Sequence, residues 1–345
     1  MTLGRPPRMG YTLSKLEIAF YMARSGSYRI TAALTAGIVL AACTTQLQRI
    51  GHDDGRDACR ALVVQLDSTG NFFGEDIVQA AAIGSVSGAL ISGLATGTWQ
   101  GALTGALIGA PTGAAIGYYS ALQRQQRDQA GVNAQIANDL QRENAELNRT
   151  QIAFDQLFDC RLRSAQQIRQ AVRDGRLNRE VATQQLAEIR QRANGDITLA
   201  QTINGRISTR GAEIDGAIDA VVPGGKVGLA TAGTPQPTRV TPRRSVDVVF
   251  SPQPDSPKIA EIRPREAVAV RPGPPGFVQV ETANGVRGYA ASAAFPAPSA
   301  SVQQAAEGSD VRSLAATNLS RRETFSASVS NAERLTQSGG FELTS

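Results

Sequence analysis

Val132-Asn-Ala-Gln-Ile136-Ala-Asn-Asp-Leu140-Gln-Arg-Glu-Asn-Ala-Glu-Leu147-Asn-Arg-Thr-Gln-Ile-Ala-Phe154-Asp-Gln-Leu157-Phe158 is the stretch on which the fold class turns. Its large apolar residues recur at steps of three, four and seven, the spacing that keeps side chains on one face of an α-helix. Ile168 and Val172 continue the stripe, and Asp174-Gly175 reads as a turn. Asn178 then stands where a helix cap belongs, ahead of Val181, Leu186, Ile189, Ile203, Ile207, Ile214 and Ile218 at helical spacing. Residues 124–222 are therefore expected to form a long antiparallel helical hairpin or coiled coil. Fifty residues of helix would reach about 75 Å. The Arg and Gln runs read as solvated faces, because Glu143, Glu146 and Asp155 interrupt them.

Upstream, residues 77–123 contain no charged residue. Gly93, Gly97, Gly101, Gly105, Gly109, Gly113 and Gly117 recur every fourth position, with Gly84 and Gly88 ahead of them at the same spacing. Residues four apart share a helix face, so a glycine stripe lets a second backbone approach closely. Each glycine costs a helix about 1 kcal/mol relative to alanine, so lipid or close packing must compensate. A flexible Gly/Ala linker has no reason to keep the period or so many Ile, Leu and Val. The segment resembles the glycine-zipper regions of bacterial envelope proteins. Its length suits two helices of about twenty residues that turn near Thr96–Trp99, with Pro111 kinking the second or marking its first turn.

Further upstream the chain reads Ile30-Thr-Ala-Ala-Leu-Thr-Ala-Gly-Ile-Val-Leu40-Ala41-Ala42-Cys43, with Arg24 and Arg29 ahead of it. About eleven apolar or small residues are too few for a permanent span, but suit the core of a cleaved signal. Leu-Ala-Ala-Cys resembles the lipobox of bacterial lipoproteins. That resemblance implies cleavage before Cys43 and acylation of its thiol and new amine. Residues 1–42 are then the signal peptide, unusually long unless translation starts at Met22, and residues 43–76 an anchor followed by a short helix near Asp57–Leu66. Thr44 follows the cysteine rather than Asp, which in this family favours the outer membrane, facing the periplasm. The signal also explains the charge. The chain carries 35 Lys and Arg against 30 Asp and Glu, a net of +5. Arg5, Arg8, Lys15, Arg24 and Arg29 against Glu17 put +4 of this in the signal. The mature chain is near +1, which argues against a nucleic-acid partner. Its remaining cysteines, Cys59 and Cys160, form an even pair in an oxidising compartment and read as a disulfide, the alternative being two buried thiols.

Downstream, residues 223–244 are rich in Pro, Gly and Thr and read as a linker. Residues 245–296 carry five strand candidates: 246–250, 258–262, 267–270, 276–280 and 288–290, with Asn284-Gly285 as a hairpin turn. Five short strands suit a small barrel. Ser251-Pro252, Ser256-Pro257, Phe277-Val278-Gln279-Val280, Asn284-Gly285, Gly288-Tyr289 and Ser292–Phe295 resemble the pattern of a bacterial SH3 domain. The family often has tryptophan where Phe277 and Tyr289 stand, and a glycine where Glu266 stands. The resemblance implies an SH3-like barrel binding peptidoglycan or peptides through an aromatic-lined cleft, with Tyr289 and Phe277 as the candidate ligand residues. For Phe277 a plain core role is the stronger expectation. Residues 297–345, rich in Ser, Ala and Gln, read as a disordered tail.

The fold class is thus mainly α with a small all-β domain. A search for chemistry finds little. His52 is the only histidine, and Asp53, Asp54 and Asp57 around it read as a hydrated linker. No catalytic triad, zinc-ligand spacing or phosphate loop can be assembled, so no enzyme activity, metal or cofactor is expected. The expected function is a structural or tethering envelope lipoprotein. Its partners would be membrane lipid through acylated Cys43, and peptidoglycan or envelope proteins through the SH3-like module. The alternative is an oligomeric membrane component of an export or pore complex, assembled through the glycine zipper. A hydrolase ranks below both.

Overall fold

The computed structural model describes residues 46–83, 128–221, 237–295 and 310–343. The signal, Cys43, Pro111 and the glycines from Gly93 to Gly117 lie outside the described residues. A short helix, α1 (Gln46–Ile50), belongs to a separate N-terminal unit, and the chain from His52 onward forms one compact unit.

Four helices build most of that unit. The first, α2 (Arg60–Ile83), opens where Asp57 accepts from the backbone N–H of Cys59 at 3.0 Å. It runs well past the short helix expected around Asp57–Leu66, into the charge-free segment. The longest is α3 (Gln129–Arg173), whose N-cap Asp128 accepts from Gly131 N–H at 2.7 Å. It ends at Asp174, and Gly175 takes the left-handed conformation (φ +70°) that ends helices cheaply. The next, α4 (Arg179–Val221), is capped by Asn178, whose side chain accepts from Val181 N–H at 2.8 Å.

α3 and α4 run antiparallel. Arg161 meets Asp196 in the half nearer their turn, Arg210 meets Glu143 further along, and Val132, Ile136 and Leu140 pack on Ile214, Ala217 and Ile218 at the far end. The apolar stripe on α3 is buried from Val132 to Phe158, but Val181, read as part of the α4 stripe, is exposed. Glu143 and Asp155 correct the reading of a solvated face, because both are buried. α2 packs on this pair so closely that Gly70 has no room for a side chain beside Ile203.

The disordered tail is also corrected. Val311–Gln337 forms a helix, α5, capped by Asp310, which accepts from Arg312 N–H at 2.9 Å. Ala315, Asn318, Phe325, Val329, Ala332 and Leu335 are buried against the bundle. Its buried face is made mostly of small and polar residues, so the stripe of large apolar residues that betrays most packed helices is missing.

Six antiparallel strands follow α4 in the order β1-β4-β5-β6-β2-β3. They are β1 (Thr238–Val240), β2 (Val246–Val249), β3 (Lys258–Ile262), β4 (Val268–Pro272), β5 (Phe277–Glu281) and β6 (Arg287–Ala291). β1 falls in the stretch read as linker, where it pairs with β4. β5 and β6 form the expected hairpin, with Gly285 at φ +74°. Alternation puts Val278, Val280 and Ala290 on one face, where they join Val246, Val248, Ile262, Val268, Val270 and Phe295 in a core. β1 and β3 stand at opposite ends of the order, so the sheet is not a closed barrel. A register shift between Val248 and Val249 marks a bulge. Phe250 beyond it packs away from the sheet core, against Phe158 of α3, as expected when a bulge re-aims the next side chain.

Candidate functional site

Two sites organise the compact unit. The first lies about a third of the way along the α3–α4 hairpin from its turn. Cys59 and Cys160 are joined there in a disulfide with their Cα atoms 6.0 Å apart, tying the chain just ahead of α2 to α3 across 101 residues of sequence. The next residue, Arg161, is 3% exposed and lies between two carboxylates. Its Nε donates to Asp196 at 2.6 Å and its Nη2 donates to Asp57 at 2.9 Å. A buried guanidinium needs such partners, because an uncompensated buried charge costs several kcal/mol. Burial pushes the Asp57 carboxyl up, but the hydrogen bonds and charge of Arg161 outweigh it and hold Asp57 below its ordinary value. Asp196 is more deeply buried, and there burial wins over Arg161 and raises it. Disulfide and ion triad together fasten three segments where α2 begins.

The second site is the seam between sheet and helices. Asp159 of α3 accepts from Ser251 Oγ at 2.6 Å and from Ser256 Oγ at 2.8 Å, and Ser256 Oγ also accepts from Ser251 N–H at 2.9 Å. Burial raises the Asp159 carboxyl against those two serine hydrogen bonds. Around it five phenylalanines interlock: Phe158 lies 4.6 Å from Phe250 and 6.0 Å from both Phe154 and Phe341, and Phe154 lies 5.8 Å from Phe325. The Ser-Pro loop that carries the SH3 resemblance is thus an anchoring point on α3. The contacts joining it to Asp159 span 92 and 97 residues, so no local sequence pattern announces them.

Tyr289 and Phe277, the two candidate ligand residues, share a sheet face but not a cleft. Tyr289 is buried, while Phe277 is half-buried and outside the core, against the expectation of a core role. The reason is register: Phe277 alternates with the core-facing Val278, so it points to the opposite face. Tyr289 lines a crevice of about 70 Å³ with Gln279, Arg271 and Arg287 on the sheet and Thr324 and Asn331 on α5. Asn331 accepts from Arg287 N–H at 3.2 Å, so α5 is seated directly on this face. Burial pushes the Tyr289 phenol up, the charge of Asp155 adds to this, and a hydrogen bond from Gln279 opposes it. No group of three or more His, Cys, Asp or Glu able to hold a metal ion occurs among the described residues. No helix among the described residues is long and apolar enough to cross a membrane.

Residues 81–126 match the glycine-zipper family of the Omp type. The charge-free segment with its period-four glycines is therefore a glycine zipper, a feature associated with membranes and the cell envelope. No curated protein and no solved structure matches the chain.

Proposed function

We propose that the chain is a non-enzymatic envelope lipoprotein, lipid-anchored at Cys43 to the outer membrane, whose glycine zipper packs in or against the bilayer. The observation that carries this reading is the zipper's place between α2 and α3, in a chain whose flanks are joined by the Cys59–Cys160 disulfide. A disulfide suits export, and a zipper with clamped flanks suits a packed hairpin better than a free spacer. The SH3-like sheet would then contact peptidoglycan or an envelope protein. Tyr289 serves that role only when α5 leaves the sheet face.

The second reading, an oligomeric membrane component assembled through the zipper, draws on the same segment. The tests separate them. Cys43→Ala should abolish labelling by radioactive palmitate and leave the chain uncleaved or soluble; full labelling of this variant would remove the lipoprotein reading. Replacing Gly101 and Gly105 together with Leu raises helix propensity and hydrophobicity, yet removes the close contact of small-xxx-small packing. The double variant should stay lipid-anchored but lose crosslinked oligomers in intact cells if the zipper assembles. Oligomers at the level of the unaltered chain would leave only the tethering role.

A further inference from the structure

We propose that the groove between α3 and β3 is a docking site for an extended acidic polypeptide segment of a partner protein, which pairs with the edge of β3 as an added strand. This goes beyond the reading above, because the groove is a different surface from the Tyr289 face and needs no movement of α5.

The groove has a volume of about 690 Å³ and is open to solvent. One wall is α3 from Arg163 to Arg173, the other β3 from Lys258 to Glu261. β3 is the last strand in the sheet order, so it presents backbone groups to whatever lies beside it. Edges of this kind are templates for an incoming strand. From Arg163 to Arg173 the helix rises about 15 Å, and the five residues of β3 extend about 17 Å. The two walls therefore match in length.

The chemistry of the helix wall selects the occupant. Every α3 side chain lining the groove is Arg or Gln. With Lys258 this makes four cations against one carboxylate, Glu261. Some are already matched: Arg163 pairs with Asp255 at 3.2 Å, and Lys258 with Asp247 and Glu261 at 2.6 Å each. Arg169 instead spends its guanidinium on neutral oxygens, and Arg173 bonds a neutral carboxamide with the Asp174 carboxylate close by. Arg169 donates to the carbonyl of Gly340 at 2.9 Å, and Arg173 donates to the carboxamide of Gln170 at 2.6 Å. They stand one helical turn apart, and burial together with the charge of Arg173 lowers the Arg169 pKa. An incoming carboxylate relieves that repulsion. Glutamine distinguishes a peptide from a bare polyanion. Its carboxamide accepts as well as donates, and a polypeptide supplies N–H groups that a polyphosphate or an acidic glycan strand supplies sparsely or not at all. Gln166 already uses its donor in this way, reaching the carbonyl of Lys258 at 3.5 Å, a bond that an added strand displaces.

The test uses the full chain purified in detergent and a fluorescent peptide of alternating Glu and Thr, about ten residues long. Fluorescence anisotropy should show binding that weakens with salt. Changing both Arg163 and Arg173 to Glu should weaken it roughly tenfold or more, with the far-UV circular dichroism unchanged. Both arginines are substantially solvent-exposed, so the fold should tolerate the change. N-methylation of alternate residues, which blocks strand pairing but keeps the charge, should abolish binding, and so should Gln in place of Glu. The proposal is overturned if the peptide does not bind, or if the charge-reversed chain binds it equally. It is also overturned if the N-methylated peptide or polyphosphate binds as well as the parent peptide, which would make the groove a general polyanion site.

Discussion

At the scale of single residues, the compact unit carries acidic groups where an amphipathic helix should be apolar. Asp155 is the clearest. It is 7% exposed, its one hydrogen bond comes from Gln151 Nε2 at 2.8 Å, and burial pushes its carboxyl well above the ordinary value, with the charge of Asp159 adding to the effect. A raised folded-state pKa means that the folded chain binds a proton more tightly than the unfolded chain does. The stability from that proton is complete below the unfolded value near 3.8 and is lost as pH rises through the folded value. At neutral pH the unfolded carboxyl is ionised and solvated, so returning it to this buried site costs the fold stability. Asp155→Asn keeps the shape and the acceptor for Gln151 but removes the charge. It should raise the thermal midpoint at pH 7, and the gain should vanish below about pH 4. Equal gains at both pH values would mean that the carboxyl is not the cause. Arg265 is the only described non-glycine residue with positive φ, at +67°, and it adjoins Glu266, where SH3 domains usually carry glycine. Arg265→Gly should therefore stabilise the turn by about 0.5–1 kcal/mol, read as a rise in the urea midpoint.

At the scale of elements, close approach and covalent closure set the packing of α2. A Cβ at Gly70 would lie 2.5 Å from Ile203 Cγ1 and 2.6 Å from its Cδ1. Alanine there gains about 1 kcal/mol of helix propensity but overpacks a buried, β-branched neighbour, at a cost of about 1–3 kcal/mol. Gly70→Ala should therefore be neutral to destabilising despite its better propensity, and Ile203→Ala in the same chain should restore the gain. If Gly70→Ala alone stabilises the chain by the full propensity difference, the approach is looser than described. The disulfide spans 101 residues, and closing a loop of that length is worth about 4–5 kcal/mol in the chain-entropy model. Cys160→Ser should lower the unfolding free energy by an amount of that order. How much of this was legible beforehand depends on the element. α3 and α4 were, because Val132 to Phe158 and Leu186 to Ile218 repeat at helical spacing, and Asp174-Gly175 and Asn178 punctuate them. The cysteine pair was legible from its even count. α5 was not, because Ala315, Asn318, Asn331, Ala332 and Thr336 share its buried face with Phe325, Val329 and Leu335, so its stripe of large apolar residues is broken. β1 was hidden by the prolines and threonines around it, and the seam at Asp159 by the long loops that its contacts close.

At the scale of the whole molecule, the bundle has two unlike poles, and the zipper belongs to one of them. The α3–α4 turn marks the first pole, and the disulfide and the Arg161 triad lie on that side of the bundle, beside the start of α2. Further along, Arg210 reaches both Phe72 of α2 and Glu143 of α3, so these two positions stand at one level. From that level α2 runs on to Ile83, about 16 Å, and α3 extends back to Gln129, about 21 Å, both away from the disulfide. The two ends that the zipper joins therefore leave the bundle at the second pole. Helices in contact lie about 8–10 Å apart, whereas a flexible linker of about ten Gly and Ser residues has a root-mean-square reach of about 17 Å. Replacing residues 84–127 by such a linker should thus leave the compact unit intact. The excised chain should still form the Cys59–Cys160 bond, checked by non-reducing mass spectrometry, and should melt within about 2 °C of the full chain, since no buried contact among the described residues is removed. On the anchoring proposed at Cys43 it should remain membrane-bound but lose crosslinked oligomers, if oligomerisation resides in the zipper. A chain that fails to form the disulfide or melts many degrees lower would show that the zipper holds the bundle together. In that case the bundle could not be treated as a separate platform from which the zipper projects.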